Sequence, residues 1–253
     1  MELVMLGILG LIFGSFLTSL THQTIKPDFS WIKLWRVSKC PKCGHKIKPS
    51  DNIPLISYFI LGGKCRSCRK RISARYPIIE IVTAVVFVGI FLWGDTGIWT
   101  LPYFLFLVTG ILALAIVDLE HQILPDKILI PLITIHLSLI TIFSPSPILF
   151  ANLLWAAGAS VFFLALVLVT RGRGMGLGDV KLAFLVGLIL GQTAWIAIFL
   201  AFIIGAVVGL MMITAGRARF GKPIPFGPFL VLGTFIVMVA GEKIETILLG
   251  GVI

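Results

Sequence analysis

Eight stretches of this chain are apolar over roughly the length of a membrane crossing, and that constrains its fold more than any other feature. They run Leu3–Leu20, Pro77–Trp93, Leu101–Val117, Ile128–Phe143, Ile148–Thr170, Val180–Leu190, Trp195–Ala215 and Phe229–Leu249. An apolar window of about 20 residues crosses the hydrocarbon layer as a helix, and somewhat shorter ones do so locally. Hydrophobic residues make up 58% of the chain, and the mean hydropathy of +1.07 lies far above that of soluble domains. The expected fold is an all-α polytopic membrane protein with about eight transmembrane helices. The sixth window is short and Gly187 interrupts it, which suits a short or tilted crossing. The first has an acidic residue, Glu2, ahead of it and no small-residue cleavage site behind it, so it reads as a retained helix with its N-terminus outside.

The net charge of +10 is unevenly placed. Thirteen of the 21 Lys and Arg lie between Lys26 and Arg75. Lys127, Arg171, Arg173, Lys181, Arg217, Arg219 and Lys222 follow the third, fifth and seventh windows, and Lys243 alone falls on the opposite side. The short loops near Gly94–Thr100, Ser144–Pro147 and Gly191–Ala194 carry no Lys or Arg. Such asymmetry is the positive-inside pattern, so the charge marks topology and not a nucleic-acid partner.

The windows divide the chain into a first transmembrane helix (1–20), a cytoplasmic loop (21–75) and a seven-helix membrane core (76–253). The loop is basic, contains proline and holds every cysteine, as Cys40-Pro-Lys-Cys43 and Cys65-Arg-Ser-Cys68. Two CxxC pairs 21 residues apart offer four thiolates in two knuckles, a tetrahedral zinc pattern. With the loop on the reducing side, paired disulfides are disfavoured. The zinc would be structural, closing a loop too small to fold on its own core.

Two carboxylates stand out. Asp179 ends the glycine-rich turn Gly174-Met-Gly176-Leu-Gly178-Asp179 between two apolar runs, and Asp118 ends another apolar run. A carboxylate at the mouth of an apolar helix is costly against lipid and normally faces protein or water. On the eight-helix count both emerge at the cytoplasmic face, where two carboxyls sharing one proton supply an acid and a base together. Gly176 and Gly178 remove side chains where a neighbour can approach, and with Lys181 and Glu80 they are candidate substrate-binding or supporting residues. Glu80 reads equally well as a carboxylate reaching back to the interface, and His136 and Asn152 read as helix-packing contacts.

Taken in order, GSFL at the end of the first helix, CPKCGHKI, DNIPLISYFILGGKCRSC, ISARYPIIE, DLEHQILPD, GMGLGDVKL and IPFGPFL resemble the type IV prepilin peptidases, aspartic endopeptidases of type IV pilus and type II secretion systems. The resemblance implies that Asp118 and Asp179 are the catalytic pair. It implies that the substrates are prepilins or pseudopilins, cut after a short basic leader at the cytoplasmic face of the inner membrane. Many family members then methylate the new N-terminus with S-adenosylmethionine. The chain departs from the family pattern at Thr18 and Gln23, where Asn and Arg are usual, and at Arg173, where Glu is common. Two other classes remain open at this point. Another GxGD-type intramembrane protease, such as a presenilin-like one, would share the glycine turn but carry a YD motif. A transporter with a zinc-stapled cytoplasmic domain would place ionisable groups near the bilayer midplane.

Overall fold

The computed structural model describes residues 1–35, 38–93, 100–172, 174–216 and 224–248. Arg173, Arg217, Arg219, Lys222 and the loop before Thr100 lie outside these, as does the side chain of Lys243. Among the described residues there is no strand, only the isolated bridges Lys39–Lys46 and Lys64–Arg71.

The chain forms two compact units, Met1–Thr109 and Gly110–Ile253. The first holds α1 (Glu2–Thr24), α2 (Ile56–Ile60), α3 (Arg75–Trp93) and the start of α4 (Leu101–His121). Within it α1 packs along α3. Gly10 and Gly14 make this possible, since a Cβ on either would come within 2.5 and 2.6 Å of the α3 backbone at Ala84 and Glu80. Small residues four apart let membrane helices approach closely, where packing replaces the hydrophobic drive available in water.

The second unit holds the rest of α4, α5 (Asp126–Phe143), α6 (Ser146–Val169), α7 (Leu177–Leu190), α8 (Ala194–Thr214) and α9 (Gly227–Leu248). In it α6 packs on α7 and α8 on α9, while α7 also meets α5 and α9. Each predicted window therefore coincides with one helix. Among the described residues, six helical stretches qualify as crossings by length and composition; one is the 38-residue run Leu177–Thr214. That run contains both α7 and α8, separated by the turn Gly191–Thr193, where Gly191 has φ +55°. The described apolar part of α9, Gly227–Gly241, is shorter than the other crossings.

Two boundaries and one expected interruption differ from expectation for identifiable reasons. The first helix continues past Leu20 to Thr24 because its polar residues serve themselves: the hydroxyls of Thr21 and Thr24 donate to carbonyls one turn back. α7 begins at Leu177 instead of Val180, since Asp179 caps its own first turn. Gly187 does not interrupt α7. A Cβ there would overlap the backbone of Ala156, so this glycine is where α6 and α7 touch. At the far end of α7 the carbonyl of Leu188 accepts from Asn152 Nδ2 (3.2 Å) and from His136, which confirms both as packing contacts.

Gly187→Ala is expected to destabilise the protein by about 1–3 kcal/mol through overpacking, read as a lower thermal unfolding midpoint in detergent. Gly158→Ala, whose new methyl would meet nothing within 4 Å, should leave the midpoint unchanged or slightly raised.

Candidate active site

α7 begins at the glycine turn. Gly176 is its N-cap and donates its N–H to Asp179 Oδ2 (3.0 Å), while Asp179 N–H donates to Gly176 O (3.1 Å). Because glycine has no side chain, only the carboxylate half of a capping box is formed. Asp118 sits in the last turn of α4 and accepts the N–H of Gly227, the first residue of α9, at Oδ2 (2.9 Å). The first N–H groups of a helix have no partner within it and carry its positive pole. Each aspartate is thus held at the N-terminus of a helix: Asp179 at its own, Asp118 at one that begins 109 residues later.

A Cβ on Gly227 would lie 2.7 Å from Asp118 Oδ2, so a larger residue would push the carboxylate aside. The residue before it fixes the entry into α9. The ring of Phe226 stacks 4.9 Å from Phe202 and 5.7 Å from Phe163, so an aromatic cluster anchors the loop that presents the Gly227 amide. Both aspartates are buried and close enough to interact electrostatically. They line one cavity of about 470 Å³ with Gln122, Leu124, Gly176, Lys181 and Phe226.

Gly178 also lines this cavity, and a Cβ on it would meet Leu124 at 3.0 Å. The neighbour it admits is the chain's own α4–α5 turn. Lys181 Nζ bonds Asp126 Oδ1 at 2.7 Å, tying the start of α5 to α7. Both side chains are about half exposed, so the pair contributes roughly 0–1 kcal/mol.

In the first unit the four cysteine sulfurs lie within 4.8 Å of one another. Two similar knuckles bring them together. Cys40 N–H donates to His45 O and Gly44 N–H to Cys40 O, while Cys65 N–H donates to Lys70 O and Arg69 N–H to Cys65 O. The residue after each second cysteine has positive φ: Gly44 at +71° and Arg69 at +58°. Zinc–thiolate bonds of about 2.3 Å would put tetrahedral sulfurs about 3.8 Å apart, so the cluster can hold a metal of that size. The N–H groups of Cys68 and Ser67 bring the Cys65 thiol down to about 7. At Cys43 the His45 N–H pulls downward too, but desolvation and the neighbouring thiols outweigh it and push the thiol up to about 11. Arg66 makes a double hydrogen bond to Asp51 (2.8 and 2.7 Å), linking the second knuckle to the turn Pro49–Asn52, and holds that carboxyl below its usual range.

Comparison with known proteins agrees with this layout. Residues 8–93 match the bacterial peptidase A24 N-terminal domain and residues 104–210 the type IV leader peptidase family. The prepilin leader peptidase/N-methyltransferase of Pseudomonas aeruginosa is 36% identical, over 94% of this chain and 90% of its own length. The protein of that name from Stutzerimonas stutzeri is also 36% identical with the same coverage, and that from Burkholderia pseudomallei is 33% identical over 99% of this chain and 89% of its own. The chain belongs to the type IV leader peptidase family. No solved structure matches it.

In this family member the predicted residues fall into two groups. Asp118, Asp179, Gly176, Gly178 and Lys181 share the cavity of the second unit. Glu80 and the four cysteines belong to the first unit. Glu80 is buried, accepts the N–H of Leu55 (2.8 Å) and interacts with the Ser15 hydroxyl, so its visible task is to hold the cysteine-bearing loop. Of the departures from the family pattern, Thr18 donates to Ser15 O and Gln23 to Ser19 Oγ, both inside α1. Within the motif IPFGPFL, what sequence reasoning does not supply is the role of Gly227 as a donor to Asp118. Its signal is a glycine between prolines at the mouth of an apolar run, but the partner 109 positions away is visible only in the fold.

Gly227→Ala should displace the Asp118 carboxylate and lose a hydrogen bond to a charged group, destabilising by about 1.5–3 kcal/mol in chemical or thermal unfolding. Made in an Asp118→Ala background, the same change should cost much less, because the methyl then meets only the Cβ of residue 118, at an ordinary contact of 3.5 Å.

Proposed function

We propose that this protein is a membrane aspartic endopeptidase that removes the basic leader of type IV prepilins or type II pseudopilins, with Asp118 and Asp179 as its catalytic pair. The observation that carries the reading is the shared cavity, into which two buried carboxylates are held by backbone amides from two helix N-termini. Each amide engages one oxygen, Oδ2, so both carboxyls keep acceptor capacity for water or substrate. One aspartate, ionised, takes a proton from water as its oxygen attacks the scissile carbonyl carbon. The other, protonated, gives its proton to the carbonyl oxygen, producing a neutral tetrahedral diol. As the carbon–nitrogen bond breaks, the aspartate now protonated gives its proton to the leaving amine while the ionised one takes a proton from a diol hydroxyl, so the pair again shares one proton. No covalent acyl-enzyme arises.

The Lys and Arg asymmetry favours a cytoplasmic site in the inner membrane. A prepilin's apolar stem lies in the bilayer, which would bring its cleavage site to the level where both aspartates emerge. Zinc is the metal we assign to Cys40, Cys43, Cys65 and Cys68, since four thiolates at this spacing make a closed structural site. N-methylation by S-adenosylmethionine is the second half of the proposal and rests on the names of the relatives. The first unit has a cavity of about 1180 Å³, roomy enough for such a donor. Its lining carries eight Lys and Arg against Asp51 and Glu80, which does not suit a sulfonium cation.

Asp118→Asn and Asp179→Asn should each abolish cleavage of a purified prepilin while leaving membrane insertion and thermal stability near wild type. Mass spectrometry of the product N-terminus reads the cleavage position and methylation together. Substantial turnover by either variant would remove the aspartyl mechanism. Serine at any of the four cysteines should release stoichiometric zinc and loosen the loop, with activity falling indirectly. Elemental analysis and limited proteolysis measure this, and a reduced wild-type protein without zinc contradicts the assignment.

A further inference from the structure

The loop between α1 and α3 carries an apolar face outside the spanning helices. Ile53, Ile56, Phe59 and Ile60, on and just ahead of α2, are 46%, 55%, 68% and 74% exposed. Their depth can be read from the helices. Leu55 donates its N–H to Glu80 Oε2, and the Glu80 backbone packs against Gly14 of α1. With a rise of about 1.5 Å per residue, Glu80 lies about 5 Å inside the apolar run that starts at Pro77, and Gly14 about 9 Å inside the one that ends at Leu20. Leu55, bonded to the end of the Glu80 side chain, therefore lies within one side-chain length of that depth, at the edge of the hydrophobic zone where interfacial segments lie.

The chain turns sharply at this point. Leu55 has φ +60° and ψ −56°, and Ile56 N–H donates to Pro54 O at 2.6 Å, a γ-turn of the strained hand. A backbone that dips this far must satisfy its polar groups internally. Here Glu80 takes the Leu55 amide, and Ser57 Oγ accepts from Ile53 N–H and donates to Ser50 O. After α2 the second knuckle presents Lys64, Arg69, Lys70 and Arg71 to solvent.

We propose that Ile53–Ile60 is a membrane-interfacial foot that seats its apolar face in the leaflet from which the loop emerges, with the basic second knuckle resting on anionic lipid headgroups. The loop is then fastened twice, by Glu80 from within the protein and by lipid from outside, and the cysteine cluster is held at the membrane surface. The proposal needs only the multi-pass membrane character of the chain, so it stands or falls independently of the catalytic assignment.

The test uses the full-length, zinc-loaded protein, one copy per nanodisc of phosphatidylethanolamine and phosphatidylglycerol. An environment-sensitive fluorescent amino acid is encoded at Phe59 or at Ile60, and at exposed Lys46 for comparison; the native cysteines stay untouched. At 59 and 60, lipid brominated near the headgroup end of its acyl chains should quench several-fold more than at 46, and aqueous iodide several-fold less. Iodide quenching equal to that at 46 would show a face in water and overturn the proposal. Shielding from iodide without quenching by brominated lipid would show a face covered by protein, and would overturn it equally.

Discussion

A carboxylate at the end of an apolar helix has to be met by donors, and the way both aspartates are met organises the second unit. Neither is neutralised by a basic side chain among the described contacts; each takes a backbone N–H from a helix start, where such groups are left over. That choice dictates the surrounding sequence. A donor so close to the carboxylate leaves no room for a Cβ at Gly227, and the amide must arrive in a fixed direction, which Phe226 provides by seating in the aromatic cluster around Phe163 and Phe202. Backbone amides also bring no counter-charge, so two carboxylates can still share a proton instead of each being locked in an ion pair.

The first unit solves a different problem. Its loop buries few side chains among the described residues, and the groups that hold it are local and specific: four thiols in two similar knuckles, the Arg66–Asp51 pair and Glu80 on the Leu55 amide. Glu80 is a membrane-embedded carboxylate with a structural task visible in its contacts. This shows why an intramembrane acid alone does not identify a catalytic group. Asp118 and Asp179 differ from it in being two buried carboxylates that interact with each other in one cavity.

Much of this was legible in the sequence because the signals are local. Apolar windows became helices, the two CxxC pairs became one cluster, and the two aspartates reached one cavity. The helix count followed from hydropathy, whereas the exact starts depended on caps such as Asp179 on Gly176. Gly187 was read as an interruption because a glycine lowers helix propensity; the contact with Ala156 that justifies it lies 31 residues away in sequence. Gly10 and Gly14 form a small-xxx-small pair that could have announced the α1–α3 contact. Gly227 on Asp118 and Leu55 on Glu80 were not legible, since nothing in either residue type names a partner 109 or 25 positions distant.

The central claim is that Asp118 and Asp179 act as one proton-sharing site on a tetrahedral intermediate. A prepilin-derived peptide whose scissile amide is replaced by a hydroxyl-bearing tetrahedral isostere measures this most directly, by its affinity for the wild type and for each aspartate-to-asparagine variant. Analogues of a transition state bind about 100-fold or more tighter than substrates. The account predicts such tightening over the unmodified peptide in the wild type, and its loss in both variants alike. An isostere that binds no tighter than the substrate peptide, or that keeps its affinity when either aspartate is replaced, would contradict it.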